Sequence, residues 1–247
     1  MDGMPAWFDV TTAEPPAAIG FYTQLFDWTA EPVNKTEYGK NILFRSNGRP
    51  VAGLLERRPG TPQRNGWLTY LASSDLAATI DAARARGGAE QRPVTEFPGI
   101  GETAVITDPA DSSIGIIRPF ADAEFAPAGP GTPVWTELES VNWPVTFDFV
   151  TGVFGVRTET QSSTPGSRFA TIHDAERPRG GIFELAADVP HSRWEVAFLV
   201  SDVHQAVDRA GELGAKVVRP VYDVPVGPGK GARMADPTGA HFNFIAF

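Results

Sequence analysis

A chain of 247 residues, 42% of them hydrophobic, is long enough for two ordinary domains and a substantial core. The absence of cysteine excludes disulfides, zinc–thiolate sites and thiol nucleophiles, and a formal net charge of −9 makes nucleic acid a poor partner. The chain shows no basic patch followed by an apolar run at its N-terminus, and no segment is apolar for long enough to cross a bilayer. We therefore predict a cytoplasmic protein that has no membrane partner.

The first quarter of the chain predicts a strand, a helix and a hairpin. Residues Ala6–Thr11 alternate and are rich in aromatic and β-branched side chains, which is typical of a strand. Apolar residues at helical spacing follow a proline that suits a first helical turn, so Pro16–Phe26 is predicted as a helix. Strands are predicted at Asn41–Arg45 and Pro50–Glu56, because the Asn47-Gly48 pair between them is a strong hairpin signal.

The second quarter repeats this order. A strand is predicted at Trp67–Ala72, and Asp75 then caps a helix that ends at Gly87-Gly88. Thr103–Thr107 and Ser113–Arg118 form a predicted hairpin. Each quarter therefore reads as a strand, a helix and two or three further strands.

The whole sequence matches itself at an offset of 127 to 128 residues. Aligned positions include Trp7 with Trp135, Phe21 with Phe149, Asp75 with Asp202, and Asp108 with Asp236. Repeats of this length indicate a duplicated domain rather than a solenoid. We predict domains at residues 1–121 and 133–247, joined by a linker at 122–132 that is rich in small residues, Pro and Gly.

Four local motifs carry a resemblance to a known family. They are Phe21–Trp28 at a helix end, Leu71–Leu76 and Leu199–Val203 at strand-to-helix junctions, and the Asp236–Gly239 turn. The chain resembles the vicinal oxygen chelate family, which includes glyoxalases, bleomycin-resistance proteins and extradiol dioxygenases. The resemblance implies an α+β fold of two tandem glyoxalase-like domains, whose four βαβββ modules form cupped mixed sheets with helices outside.

The positions at which many members of this family bind a divalent metal lack the usual ligands here. In the N-terminal half they are occupied by Trp7, Gly53, Leu68 and Gly115, and in the C-terminal half by Trp135, Gly181, Glu195 and Asn243. Of these residues, Glu195 alone is an ordinary metal ligand. We therefore predict no metal cofactor, with one alternative in which Glu137, Glu195 and His241 meet in the C-terminal half.

Strand alternation and the family's cupped sheet together suggest a ligand surface. The predicted ligand-binding residues are Trp7, Leu68, Tyr70, Trp135 and Asn243. The predicted acid or base residues are Asp9, Glu137, Glu195 and His241, because a carboxylate in an apolar cup can transfer protons. A competing interpretation is that Trp7 and Trp135 simply fill core space.

Three functions follow as hypotheses. In the first, the protein binds a small organic metabolite, aromatic or polyketide-like, without metal. In the second, it is a metal-independent isomerase, cyclase, lyase or hydrolase that uses the carboxylates of the cup. In the third, the C-terminal half alone forms a metal-dependent lyase or dioxygenase. The partner is a small molecule in each case, the chain is a monomer or homodimer, and His173 is left at a cup strand or its edge.

Overall fold

The computed structural model describes residues 2–36, 39–60, 64–225 and 228–247. The elements of the N-terminal half are, in chain order, β1 (Pro5–Thr12), α1 (Pro15–Phe26), β2 (Thr29–Thr36), β3 (Gly39–Ser46), β4 (Arg49–Glu56), β5 (Gly66–Ala72), α2 (Leu76–Ala85), β6 (Ala89–Phe97), β7 (Gly101–Thr107) and β8 (Ser113–Pro119). The predicted α+β class is confirmed, and each predicted strand and helix of this half is present.

The C-terminal half repeats the same order of elements. They are β9 (Pro133–Ser140), α3 (Trp143–Phe154), β10 (Arg157–Ser162), β11 (Phe169–His173), β12 (Pro178–Glu184), β13 (Arg193–Leu199), α4 (Val203–Glu212), β14 (Lys216–Asp223), β15 (Lys230–Ala235) and β16 (His241–Ala246). Each half thus contains two βαβββ modules, numbered 1 to 4 along the chain. No helix in the described ranges is long and apolar enough to cross a membrane.

The sequence predicted two or three strands after each helix, and the structure has three in each module of the N-terminal half; the additional strand directly follows the helix. It is β2 in module 1 and β6 in module 2, and these strands contain Pro32 and Pro93. Among the described residues β2 pairs only with β3, and β6 only with β7. Proline lacks an N–H for the ladder and is therefore tolerated on such outer strands. Because proline is uncommon in strands, Pro32 and Pro93 made these two strands hard to recognise from the sequence.

Each of the four modules forms four strands that pair in the same order. In module 1 the first strand, β1, pairs in parallel with the last, β4, and β3 and β2 follow in antiparallel order. Modules 2, 3 and 4 repeat this arrangement around β5–β8, β9–β12 and β13–β16. In the described residues, one face of each sheet shares a hydrophobic core with helices, and we name the opposite face the helix-free face.

The chain folds into two compact units, and each takes one module from each half. Unit 1 comprises the residues up to Trp7, Leu68–Ala123 and Thr136–Trp194, which contain most of modules 2 and 3. Unit 2 comprises Phe8–Trp67, Glu124–Trp135 and Glu195–Phe247, which contain most of modules 1 and 4. The duplicated sequence and the compact units are therefore two different divisions of the chain.

The two hydrophobic cores follow the same grouping. The core of unit 2 combines Phe21 and Tyr22 from α1 with Val203 and Ala210 from α4. The core of unit 1 combines helix α2 with helix α3 in the same way, including Leu76, Ile80, Phe149 and Val150. Each core therefore depends on residues from both halves of the sequence.

A buried polar contact links the two modules of unit 2. The Tyr22 hydroxyl on α1 donates to Asp236 Oδ2 at 2.9 Å and accepts from Trp67 Nε1 at 3.0 Å. Burial raises the pKa of Tyr22 well above its usual value, and the Asp236 carboxylate raises it further, so the hydroxyl keeps its proton. In unit 1 the Thr146 hydroxyl on α3 donates to Asp108 Oδ2 in the equivalent turn. The Asp of each Asp-Pro turn thus accepts a hydrogen bond from a helix that belongs to the other half of the sequence.

Replacing Tyr22 with Phe is expected to lower the free energy of unfolding by about 1–3 kcal/mol, because buried Asp236 and Trp67 each lose a hydrogen-bond partner. Urea denaturation followed by circular dichroism measures this change. Thr146→Val is the matched variant in unit 1 and is expected to lose a similar amount. An unchanged midpoint for both variants would contradict the role of the two Asp-Pro turns.

Candidate functional site

The helix-free face of module 4 carries a cluster of polar side chains. On β16, Phe242 and Phe244 point into the core, so His241 and Asn243 lie on the opposite face. Asn243 is in register with Ala197 of β13 and with Arg233 of β15. This register brings Glu195 of β13 next to the polar residues of the two neighbouring strands.

Glu195 lies at the centre of this cluster and is fully buried. Arg233 Nε lies 2.7 Å from Glu195 Oε2, and Asn243 Nδ2 donates to the same oxygen at 2.9 Å. His241 Nδ1 lies 3.5 Å from the other oxygen, Oε1. A buried carboxylate is tolerated only when it is paired and hydrogen-bonded, and these contacts supply that pairing.

The sequence predicted three members of this cluster and missed the fourth. Glu195, His241 and Asn243 were candidate residues, and the structure brings them together. Arg233 was not predicted, because the register between β15 and β16 is needed to place it beside Asn243. Within the described residues, His241 Nδ1 and Asn243 Oδ1 are buried atoms without a hydrogen-bond partner.

In unit 1, aromatic side chains pack into the helix-free face of module 2. Tyr70 is fully buried, and its hydroxyl accepts a hydrogen bond from Arg92 Nη2 at 2.7 Å. A Cβ placed on Gly115 would lie 2.5 Å from the Tyr70 ring, so this ring occupies the space beside a position where the family places a metal ligand. Trp7 is 1% exposed and packs edge-on against Phe97. Leu68 is half-buried.

In module 3 a pair of phenylalanine rings lies against Gly181, which is on the last strand of its module, as Gly115 is in module 2. Phe169 and Phe183 are stacked with their centroids 3.8 Å apart, and a Cβ placed on Gly181 would lie 2.6 Å from the Phe169 ring. Gly181 itself is in register with Glu137, which is half-buried. The stacked rings therefore cover the strand position next to this carboxylate.

Strand β9 carries a further carboxylate, Glu139, which was not among the predicted site residues. Glu139 is 4% exposed and lies 2.7 Å from Arg193 Nη2. It shares a strand face with Trp135 and Glu137 by simple alternation, so the same pattern could have identified it. Trp135 is half-buried.

The remaining acid–base candidates divide between the units. Asp9 is half-buried on β1 of unit 2, where it is in register with Gly53. Glu137 belongs to unit 1, whereas Glu195 and His241 belong to unit 2. The convergence of Glu137 with Glu195 and His241 stays a prediction.

His173 lies on the helix-free face of module 3. Its strand neighbour Ile172 is in the core, and the His173 side chain contacts Thr171 Oγ1 through Nε2 at 2.7 Å. Glu159 Oε2 lies 3.6 Å from the same nitrogen. His191 and His204, by contrast, are exposed in a loop and on α4.

Comparison with known families and proteins gives consistent matches over both halves. Residues 5–114 match the glyoxalase/bleomycin resistance protein/dioxygenase superfamily, and residues 143–245 match the glyoxalase-like domain family. The anthracycline biosynthesis protein DnrV of Streptomyces peucetius is 30% identical over 260 residues, which cover 98% of this chain and 93% of DnrV. CFP32 of Mycobacterium tuberculosis is 27% identical over 98% of this chain and 94% of its own length.

Solved structures share the fold at lower identity. The Mn(II)-bound glyoxalase from Novosphingobium aromaticivorans has a TM-score of 0.73 at 19% identity, covering 99% of this chain and 82% of that one. The 2,2',3-trihydroxybiphenyl 1,2-dioxygenase from Sphingomonas wittichii has a TM-score of 0.72 at 13% identity, covering 100% and 91%. At these identities the likeness concerns the fold alone.

Proposed function

The chain belongs to the glyoxalase/bleomycin resistance protein/dioxygenase superfamily, and from this premise we propose that it binds a small aromatic or polyketide-like metabolite without a divalent metal. The ligand lies in the cup that the helix-free faces form in this family.

The observation that carries the metal-free part of the proposal is the environment of Glu195. The carboxylate is the ordinary metal ligand among the eight family positions, and its Oε2 is held by Arg233 at 2.7 Å and by Asn243 at 2.9 Å. A guanidinium at this distance supplies the positive charge that a metal ion would otherwise supply, and it repels a cation. This pairing of Glu195 therefore supports a site that works without the family's metal.

The other family positions support the same proposal. Gly115 and Gly181 offer no ligand atom, and the rings of Tyr70 and Phe169 lie against them. Tyr70 and Phe169 are buried, so they fill these positions, and the aromatic surface that supports stacking with a flat organic molecule is that of half-buried Trp135. Half-buried Trp135 and Leu68 are the predicted ligand contacts that retain exposed surface.

The relatives favour one class of ligand. The name of the Streptomyces peucetius relative refers to anthracycline biosynthesis, and that relative aligns with 98% of the present chain. Anthracyclines contain a fused-ring aromatic system, and a flat system of this kind can stack on the exposed part of an aromatic side chain such as Trp135. A fused-ring aromatic metabolite is therefore the ligand class that we propose.

Native mass spectrometry of the chain, purified without chelator, tests both parts of this proposal. We expect no bound divalent metal, and we expect a 1:1 adduct with the probe 2-hydroxyanthraquinone that persists after dialysis against EDTA. One metal ion per chain, lost together with probe binding in EDTA, would overturn the metal-free proposal and favour carboxylate ligands in the C-terminal half. A chain that binds neither metal nor probe would count against the proposed ligand class.

A further inference from the structure

The carboxylate of Glu195 lies beside one ring nitrogen of His241, and the proposed binding function makes no use of this arrangement. Glu195 Oε2 is engaged by Arg233 and Asn243, whereas Oε1 faces His241 Nδ1 at 3.5 Å. A buried carboxylate oxygen accepts and cannot donate, so the proton of the neutral imidazole belongs on Nδ1. The contact is longer than a hydrogen bond, but a carboxylate beside the ring attracts its N–H and repels the lone pair of a bare nitrogen.

The orientation of the ring decides which nitrogen a ligand can reach. Nδ1 is a buried atom, yet the His241 side chain as a whole is 28% exposed. With the proton on Nδ1, the other nitrogen, Nε2, carries a lone pair and accepts hydrogen bonds. The pair therefore offers an acceptor on the helix-free face of module 4.

The N-terminal half has no counterpart of this pair. At the repeat offset Glu195 corresponds to Leu68 and His241 to Ser113, whose hydroxyl donates to Gln91 Oε1 at 2.9 Å. Asn243 corresponds to Gly115, which lies against the Tyr70 ring. The imidazole acceptor is thus a property of the C-terminal half.

We infer that His241, oriented by Glu195, selects ligands that present a hydroxyl donor, such as a phenol or an enol, to Nε2. This inference rests on the proposed function and names the polar group that the aromatic ligand must carry. An aryl ether of the same shape lacks the donor proton and leaves Nε2 without a partner. His241 is therefore a specificity-determining residue.

The test compares 2-hydroxyanthraquinone with 2-methoxyanthraquinone by quenching of tryptophan fluorescence in the intact chain. We expect the hydroxy compound to bind about tenfold more tightly, which corresponds to one hydrogen bond to a buried or half-buried partner. His241→Leu is expected to bring the ratio of the two affinities close to one. His204→Leu is the matched control, because His204 is exposed on α4, and it should preserve the ratio.

A second readout uses the unaltered chain and no ligand. Long-range proton–nitrogen correlation spectra report which ring nitrogen carries the proton, and His241→Leu assigns the signal. We expect the proton on Nδ1. A proton on Nε2, or equal affinity for the two anthraquinones, would overturn this inference and leave the proposed function standing. Binding of neither compound would count against the proposed function itself.

Discussion

Fragments 1–123 and 124–247, each produced alone, are expected to lack a cooperative unfolding transition, and mixing them is expected to restore one. The reason is the composition of the two cores. The core of unit 2 needs Phe21 and Tyr22 from the first fragment and Phe242 and Phe244 from the second. A fragment alone would expose these faces to water, and burial of apolar surface is the main stabilising contribution in a domain.

Thermal unfolding followed by circular dichroism and by one-dimensional NMR measures this result. The control is the full chain cleaved at a protease site inserted between Ala123 and Glu124, where unit 1 passes to unit 2. The cleaved chain should stay folded, because its modules are already paired. A sharp, concentration-independent transition for an isolated fragment would show that this half folds by itself, as the duplication alone suggests, and would contradict the prediction.

Arg233→Met is expected to lower the free energy of unfolding by about 3–5 kcal/mol, which is the cost of leaving a buried charge without its partner. Glu195 is 0% exposed, so water cannot replace the lost guanidinium. Glu195→Gln in the same chain removes the charge and keeps a similar volume. The double variant should therefore be more stable than Arg233→Met alone.

Arg219→Met is the matched control for this experiment. Arg219 lies on the neighbouring strand β14, in register with Arg233, but its side chain is exposed. Its Cζ lies over the Tyr222 ring, 3.9 Å from the ring centroid. Loss of this stacking should cost about 0.5–1 kcal/mol. Urea denaturation of the unaltered chain, of Arg233→Met, of Glu195→Gln and of the double variant gives the coupling energy between Arg233 and Glu195. A loss below about 1 kcal/mol for Arg233→Met, or no recovery in the double variant, would show that the pair is not a structural unit.

Local sequence patterns were sufficient to predict the elements of each module. Asp75 was predicted to cap α2, and its side chain accepts from the Ala78 backbone N–H at 3.0 Å. Asp202 does the same for Gln205 on α4. Capping, turn formation and hydrophobic spacing depend on residues only a few positions apart, so a single sequence displays them.

Alternation along β13 and β16 also predicted which face Glu195, His241 and Asn243 would share. The pattern could not show that Arg233 contacts Glu195, since β15 and β16 could pair in more than one register before the chain folds. It likewise could not show that the Tyr70 ring lies against Gly115, because Tyr70 and Gly115 are distant in sequence. Occupation of a space by a distant side chain is a property of the packed structure.

The amino-acid sequence by itself determined that the chain is a duplicated α+β protein of four modules whose family metal positions lack most ligands. Only the tertiary structure decided that α1 shares a core with α4, and α2 with α3, and that Arg233 and Asn243 hold the Glu195 carboxylate. The physical reason is range. Backbone periodicity is set by near neighbours, whereas module pairing and the neutralisation of a buried charge depend on groups that meet only when the whole chain has folded.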